Sequence, residues 1–337
     1  MPTCLITGAS GFVGANLARR LQSEGWEVQA LVRPTSQVES LEQLGVKLVV
    51  GSLQDCESLE SAVRNVDVVF HLAGRTKALR ADEFVRDNAA GARNVAAACA
   101  SCQPPPVLVV TSSLAAAGPG TFKQPRRESD PPAPVSHYGH SKLAGERHLA
   151  EFADRVPTTI LRPPIVFGPA DQASLQMFRG MKWLPVHPTP GFRRWPVSVV
   201  YVDDLCDALA AAAVRGERLP APGVEAPDGT GIYHVAAERN LTYGEFGTLA
   251  GAAAGWVVAP LPLPKLAFWV VGGGMELLGR LRGRAGLVNF DKARESCAAG
   301  WVADDAKIRQ QLDYRPSATI EKQLADTVAW YRARKWL

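Results

Sequence analysis

Short apolar runs rich in β-branched residues alternate with longer stretches of helical periodicity through the first half of the chain. Residues 3–7, 28–32, 47–50, 66–72, 107–111 and 158–161 read as strands. They are apolar almost without interruption, as strands covered on both faces are. Residues 12–23, 59–63, 82–100 and 137–153 carry apolar positions at helical spacing and fall between them. Strands alternating with helices predict an α/β fold, a doubly wound parallel sheet of the Rossmann kind with six strands.

The regularity fails after residue 162. Residues 163–196 are rich in Pro, Gly, Trp, Phe and Met and read as an irregular segment, and segments of that length usually line or cover a site. Beyond it, 199–201 reads as a strand, 203 or 204 to 214 as a helix opened by a capping Asp203 or Asp204, and 319–335 as a terminal helix. The expected division is a dinucleotide-binding domain over 1–165 and a smaller substrate-binding lobe over 166–337, with 199–214 returning to the first domain. The apolar stretch 261–278 is broken by prolines, glycines and charges, so it makes a poor membrane span. It reads first as a packing or substrate-covering element; because Arg280, Arg282 and Arg284 follow it, a peripheral membrane contact is the second reading.

Composition adds little to this picture but closes off alternatives. An apolar content of 47% with 21% charged residues is that of an ordinary folded domain. The net charge of +4 is small and gives no basic stripe for nucleic acid. The six cysteines are scattered and no leader-like segment opens the chain, so a cytoplasmic protein is expected. His137 and His140 have no further ligand at metal spacing, and no metal is expected.

The first strand runs into Thr7-Gly8-Ala9-Ser10-Gly11-Phe12-Val13-Gly14, a glycine turn that opens a helix. Glycine lets backbone approach a pyrophosphate, and the helix start offers free N–H groups and a positive dipole end. Gly8, Ser10, Gly11, Phe12, Val13 and Gly14 are therefore candidate dinucleotide-binding residues. An acidic residue after the second strand would hold the 2′-hydroxyl of NAD; here Arg33 stands there, which favours the 2′-phosphate of NADP(H). Leu53 and Asp55 after the third strand are expected toward the adenine, and Leu72, Ala73 and Gly74 after the fourth toward the ribose.

Tyr138 and Lys142 lie four residues apart on a helix and so share one face. An ammonium near a phenol favours the phenolate and eases proton exchange. Ser113 leaves the fifth strand on the side where the cofactor binds, placed to hydrogen-bond a substrate carbonyl or hydroxyl.

These segments, with Asn88, Gly91 and Asn94, Arg162-Pro163 and Tyr201-Val202-Asp203-Asp204-Leu205, resemble the extended short-chain dehydrogenase/reductase family, the NAD(P)-dependent epimerase/dehydratase superfamily. The resemblance implies Tyr138 as acid/base, Lys142 as ribose contact and pKa modifier, Ser113 as carbonyl orienter, Asn88 as a supporting group near the nicotinamide or the lysine, and Pro163 beside the cofactor. A homodimer is a family expectation.

Family members that dehydrate nucleotide sugars carry an acidic pair just after the serine; here Leu114-Ala115-Ala116-Ala117 follows. That segment and Leu31-Val32-Arg33-Pro34-Thr35-Ser36 resemble the 3β-hydroxysteroid dehydrogenase and dihydroflavonol reductase branch instead. The implied activity is an NADP(H)-dependent interconversion of a carbonyl and a secondary alcohol on a bulky apolar small molecule. Met177, Phe178, Met181, Trp183, Leu184, Phe192 and Trp195 are the expected pocket residues. The alternatives are a nucleotide-sugar epimerase, whose anionic substrate Arg179 and Lys182 or Arg193 and Arg194 would meet, and a non-catalytic dinucleotide sensor.

Overall fold

Why the apolar runs become strands is visible in their burial. In the computed structural model, which describes residues 1–337 other than 285, 287 and 288, strand β4 (Val68–His71) is buried at every position and β1 (Thr3–Thr7) at all but its first. With β2 (Glu27–Val32), β3 (Lys47–Val50), β5 (Val107–Thr111), β6 (Thr158–Arg162) and a further strand, Ile232–His234, they form a seven-stranded parallel sheet. Its order is Ile232–His234, β6, β5, β4, β1, β2, β3. The chain therefore winds outward in both directions from the β1–β4 pair, and that reversal opens a crevice at the carboxyl ends of the strands.

Helices cover both faces. Helix α1 (Phe12–Ser23) and helix Val202–Arg215 bury Leu17, Leu21, Leu205 and Leu209 in one cluster with Ile6 and Phe70. Helices Cys56–Ala62 and Gly91–Ala100 bury Leu59, Val95 and Cys99 on the other face with Leu5 and Leu108, and Leu149 of helix His137–Ala150 joins them. A third cluster forms the remaining lobe, from helices Gln172–Trp183, Tyr243–Ala253 and Ile320–Ala333.

Four sequence expectations need correction. The sheet has seven strands, because Ile232–His234 pairs in parallel with β6. The helix expected over 82–100 is interrupted: a π-helical turn, Val85–Ala90, separates Ala81–Phe84 from Gly91–Ala100, and it carries Asn88. The stretch 163–196 is not irregular throughout, since helix Gln172–Trp183 is capped by Asp171, whose carboxylate accepts from the Ala173 and Ser174 amides at 2.9 and 3.0 Å. Asp203 and Asp204 do not cap their helix, whose first flanking residue is Tyr201. Buried Asp204 instead accepts from Ser317 N and Gln323 Nε2 at 2.9 and 2.7 Å and ties down the terminal helix, while Asp203 pairs with Arg19 at 3.1 Å.

Candidate active site

The glycine turn brings three backbone segments together at the end of β1. Gly8 has φ +76°, and a Cβ there would come within 2.6 Å of the Ala73 amide nitrogen. A Cβ on buried Gly14 would run into the Gly8 carbonyl oxygen. Only hydrogen fits at either position, and the loop after β4 is thereby drawn against the turn. Leu72 N donates to Thr7 O at 3.1 Å and Ala73 N to Thr7 Oγ1 at 3.3 Å. Helix α1 starts at Phe12 with no side-chain cap and no acidic residue in its first turn, so its leading amides are free for an anion. Phe12 and Val13 pack on the core beneath, leaving Ser10 and Gly11 exposed. This cradle, closed to a Cβ and open to an anion, fits the pyrophosphate of a dinucleotide.

Around the cradle the other expected cofactor contacts take these places. Arg33 is exposed just past β2. Asp55 caps helix Cys56–Ala62 by accepting from Ser58 N at 3.2 Å. Leu53 sits against Gly91, and its carbonyl accepts from Asn94 Nδ2 at 2.8 Å. Pro163, at the end of β6, accepts from Leu114 N at 2.9 Å. Gly74 faces inward: a Cβ there would lie 2.9 Å from Asn88 Oδ1 and 3.6 Å from Lys142 Nζ.

Asn88 is buried, and its amide is fully engaged. Its Oδ1 accepts from Arg75 N at 2.7 Å, and its Nδ2 donates to Arg75 O and Ser141 Oγ at 3.0 and 2.8 Å. The π-turn thus holds the loop after β4 against the helix that carries Tyr138 and Lys142, a common use of such turns.

Ser113 and Tyr138 meet. Both line the same cavity, and the Ser113 Oγ accepts from Ala115 N at 3.1 Å. Burial pushes the Tyr138 phenol above its usual range, while the charge of Lys292 and the neighbouring Ser113 hydroxyl pull the other way. Lys142 Nζ donates to Thr111 O at 2.7 Å. Burial lowers the Lys142 ammonium to about 8, with the Glu146 carboxylate opposing. His71 beneath the site hydrogen-bonds Thr7 Oγ1 at 2.8 Å, and burial together with the Lys142 charge lowers it to about 3. A buried two-point pair, Arg162 to Glu146 at 3.0 and 2.6 Å, ties β6 to the Tyr138 helix, and Glu146 also accepts from Ser112.

Three residues of the site lay beyond the sequence reading. Asp291, Lys292 and Glu295, on helix Phe290–Ser296, grip the start of helix His137–Ala150. Asp291 accepts from His137 N and Tyr138 N at 2.7 and 3.0 Å; Ser136 Oγ donates to Glu295 Oε1 at 2.7 Å. Lys292 Nζ lies 5.2 Å from the centre of the Tyr138 ring and 2.6 Å from Glu295. Burial works against the Lys292 charge, but Glu295 first, with Tyr138 and Asp291, more than offsets it and holds the ammonium above its usual range.

Beside Ser113 and Tyr138 opens a cavity of about 320 Å³ whose walls include Trp195, Tyr243, Lys292 and Trp301. Of the aromatic and sulfur-bearing residues expected to line it, Trp195 does. Phe178 and Met181 instead fill the third core cluster with Met177 packed on it, because one face of their helix points inward; Trp183, Leu184 and Phe192 are exposed. Arg179 donates to Trp336 O at 3.0 Å, and Arg193 and Arg194 border a separate outer groove with Phe192.

The fold agrees with what known proteins show. A family model described as the NAD dependent epimerase/dehydratase family matches residues 4–224. The chain belongs to this family. Among relatives of the epimerase/dehydratase family, the ceramide reductase of Caulobacter vibrioides is 29% identical over 334 residues, covering 98% of this chain and 95% of its own. The decarboxylating sterol-4-alpha-carboxylate 3-dehydrogenase of Dictyostelium discoideum is 26% identical over 335 residues, covering 93% and 96%. A crystal structure of dTDP-glucose 4,6-dehydratase from Bacillus anthracis in complex with NAD has a TM-score of 0.77 at 19% identity, covering 100% of this chain and 98% of that one. At that identity the likeness is one of fold. The chain is thus an NAD(P)-dependent enzyme of the extended short-chain dehydrogenase/reductase type.

Proposed function

We propose that the protein is an NADP(H)-dependent oxidoreductase that interconverts a carbonyl and a secondary alcohol on a bulky, largely apolar substrate. One observation carries this reading: Ser113 and Tyr138 adjoin a cavity with a largely apolar wall that includes Trp195, Trp301, Leu114, Ile165, Val197 and three prolines, and Lys292 and Glu295 supply its charged side. The names of the relatives, a ceramide reductase and a sterol dehydrogenase, point to the same kind of substrate. Ser113 is followed by buried, apolar Leu114–Ala117, so the acidic pair that a dehydration needs is lacking there. Arg33, with no acidic residue beside it at the end of β2, supports NADP(H) over NAD(H).

Gly8, Gly11, Gly14 and the first amides of α1 would hold the pyrophosphate, and Lys142 and the loop Leu72–Ala73–Gly74 the nicotinamide ribose. When bound, the dinucleotide supplies or accepts the hydride. Ser113 Oγ donates to the substrate oxygen and fixes its position. Tyr138 gives its phenolic proton to that oxygen in reduction and takes it back in oxidation, and Lys142 and Lys292 favour the phenolate that remains. The apolar walls exclude water and seat the body of the substrate.

Turnover with NADPH against long-chain and polycyclic ketones, aldehydes and nucleotide sugars tests the proposal. Net oxidation of NADPH by apolar ketones is expected. Tyr138→Phe retains dinucleotide binding and loses about 10²–10⁴-fold in turnover. Conversion of a nucleotide sugar without net cofactor use, or full activity of Tyr138→Phe, overturns it.

A further inference from the structure

Helix Lys265–Leu281 carries three consecutive glycines that divide its surface in two. A Cβ on Gly272 would meet the Asn289 carbonyl oxygen at 2.9 Å, and one on Gly273 the Phe290 ring at 2.9 Å. These two let the helix lie close against Phe290–Ser296, the helix of Asp291, Lys292 and Glu295, and Trp269 adds a ring contact to Phe290 with centroids 5.2 Å apart. A Cβ on Gly274 would meet nothing within 4 Å. On that outer face Leu266, Val270, Leu277 and Leu281 are 71%, 66%, 62% and 79% exposed. Their spacing sets them in one stripe along the helix, and exposed Val271 and Met275 widen it.

A contiguous apolar face of this kind on a folded protein marks a surface that meets a partner. The charges around it say which. Between residues 265 and 284 the one acidic residue is Glu276, whose carboxylate is already taken by Arg280 at 2.7 Å and Phe290 N at 3.2 Å. Lys265 stands at one end of the stripe and Arg282 and Arg284 at the other, beyond the Arg280–Glu276 pair. Exposed Phe192, with Arg193 and Arg194 after it, adjoins the Lys265 end, since a Cβ on Gly191 would lie 3.8 Å from the Lys265 side chain. A second copy of the helix, laid either way, would set cation against cation. An anionic lipid surface complements both the stripe and its ends.

We propose that this face docks on the surface of an anionic phospholipid bilayer, with helix Lys265–Leu281 lying in the plane of the interface. Among the described residues no helix is long and apolar enough to cross a membrane, so the contact is peripheral. Lys265 Nζ lies 4.4 Å from the centre of the Trp195 ring, which walls the cavity. The docked surface therefore begins where the cavity wall ends, and an apolar molecule dissolved in the bilayer is brought to the edge of the site.

Flotation of the full chain with vesicles tests this. The protein is expected to float with vesicles of phosphatidylcholine and phosphatidylglycerol at three to one, and far less with phosphatidylcholine alone. The variant Leu266→Gln/Val270→Gln/Leu277→Gln should lower the partition coefficient at least about tenfold, because its apolar stripe is gone. Its thermal midpoint stays as in the parent, since these side chains face solvent. Arg282→Gln/Arg284→Gln weakens binding in the same direction and by less. Failure of the parent to bind the anionic vesicles, or equal binding by the triple variant, overturns the proposal. So does a concentration-dependent dimer that the triple variant abolishes without any vesicle binding, which would give the face to a second copy.

Discussion

The two sides of the site are made of different materials. On the cofactor side the work falls to backbone: Gly8, Gly14 and Ala73 close on one another at distances that admit no Cβ, and α1 presents bare amides. On the substrate side it falls to side chains drawn from far along the chain, with Asp291 reaching back 154 residues to His137 N and Lys292 lying against the Tyr138 ring. Backbone geometry is all or none, because a peptide cannot move aside without its strand. Side chains can give, so changes on the substrate side should be graded and selective.

The sharpest break of this comparison is Gly14→Ala. Its Cβ would strike the Gly8 carbonyl oxygen and the Ala9 Cα, both backbone, so α1 must lift from β1. Overpacking of this kind costs ~1–3 kcal/mol. Binding of NADPH should fall by about 100-fold, the equivalent of ~3 kcal/mol. Titration of the dinucleotide by fluorescence or calorimetry checks this, and undiminished affinity would show that the turn does not hold the pyrophosphate.

A smaller and more selective effect is expected from Lys292→Met. Lys292 holds its charge beside Glu295 and favours the Tyr138 phenolate. Without it the phenol rises further, so the ascending limb of alcohol oxidation against pH moves to higher pH. Turnover at neutral pH falls by about tenfold, in keeping with a desolvated cation–π contact, while dinucleotide affinity is unchanged. A limb that does not move, or an equal loss of cofactor binding, would place Lys292 outside the proton path.

The same contrast explains what the sequence made legible. The strands from β1 to β6 announce themselves as short apolar runs, the central ones because they are covered on both faces and the edge strand β3 less strictly. Tyr138 and Lys142 are readable because a helix turns their local spacing into a shared face. Ile232–His234 is three residues long, follows Gly229 and Gly231, and draws its pairing wholly from β6. Asp291, Lys292 and Glu295 carry no local signature either; only the fold brings them to Tyr138. Composition also misleads where a helix decides which side a residue faces: Phe178 and Met181 point into the core while Trp183, two positions further on, is exposed. Asn88 was legible through family resemblance alone, and the π-turn that aims it leaves no mark in the periodicity of 82–100.

Arg33 is an exposed side chain at the rim of a cofactor side built largely from backbone, and it should show the smallest effect. It is exposed, and its own backbone N–H is held by Ser36 Oγ at 3.0 Å, so the turn that presents it does not depend on the guanidinium. Arg33→Ser therefore leaves the fold and the pyrophosphate cradle intact. Binding of NADPH should weaken by about tenfold, the scale of one charge-assisted contact in solvent, and binding of NADH should not change. Raising the salt concentration should narrow the preference of the parent protein in the same way, because an exposed pair is screened. Parallel titrations with the two cofactors separate the outcomes. Equal losses for both would make Arg33 part of the cradle itself, and equal affinities in the parent protein would remove the preference for NADP(H).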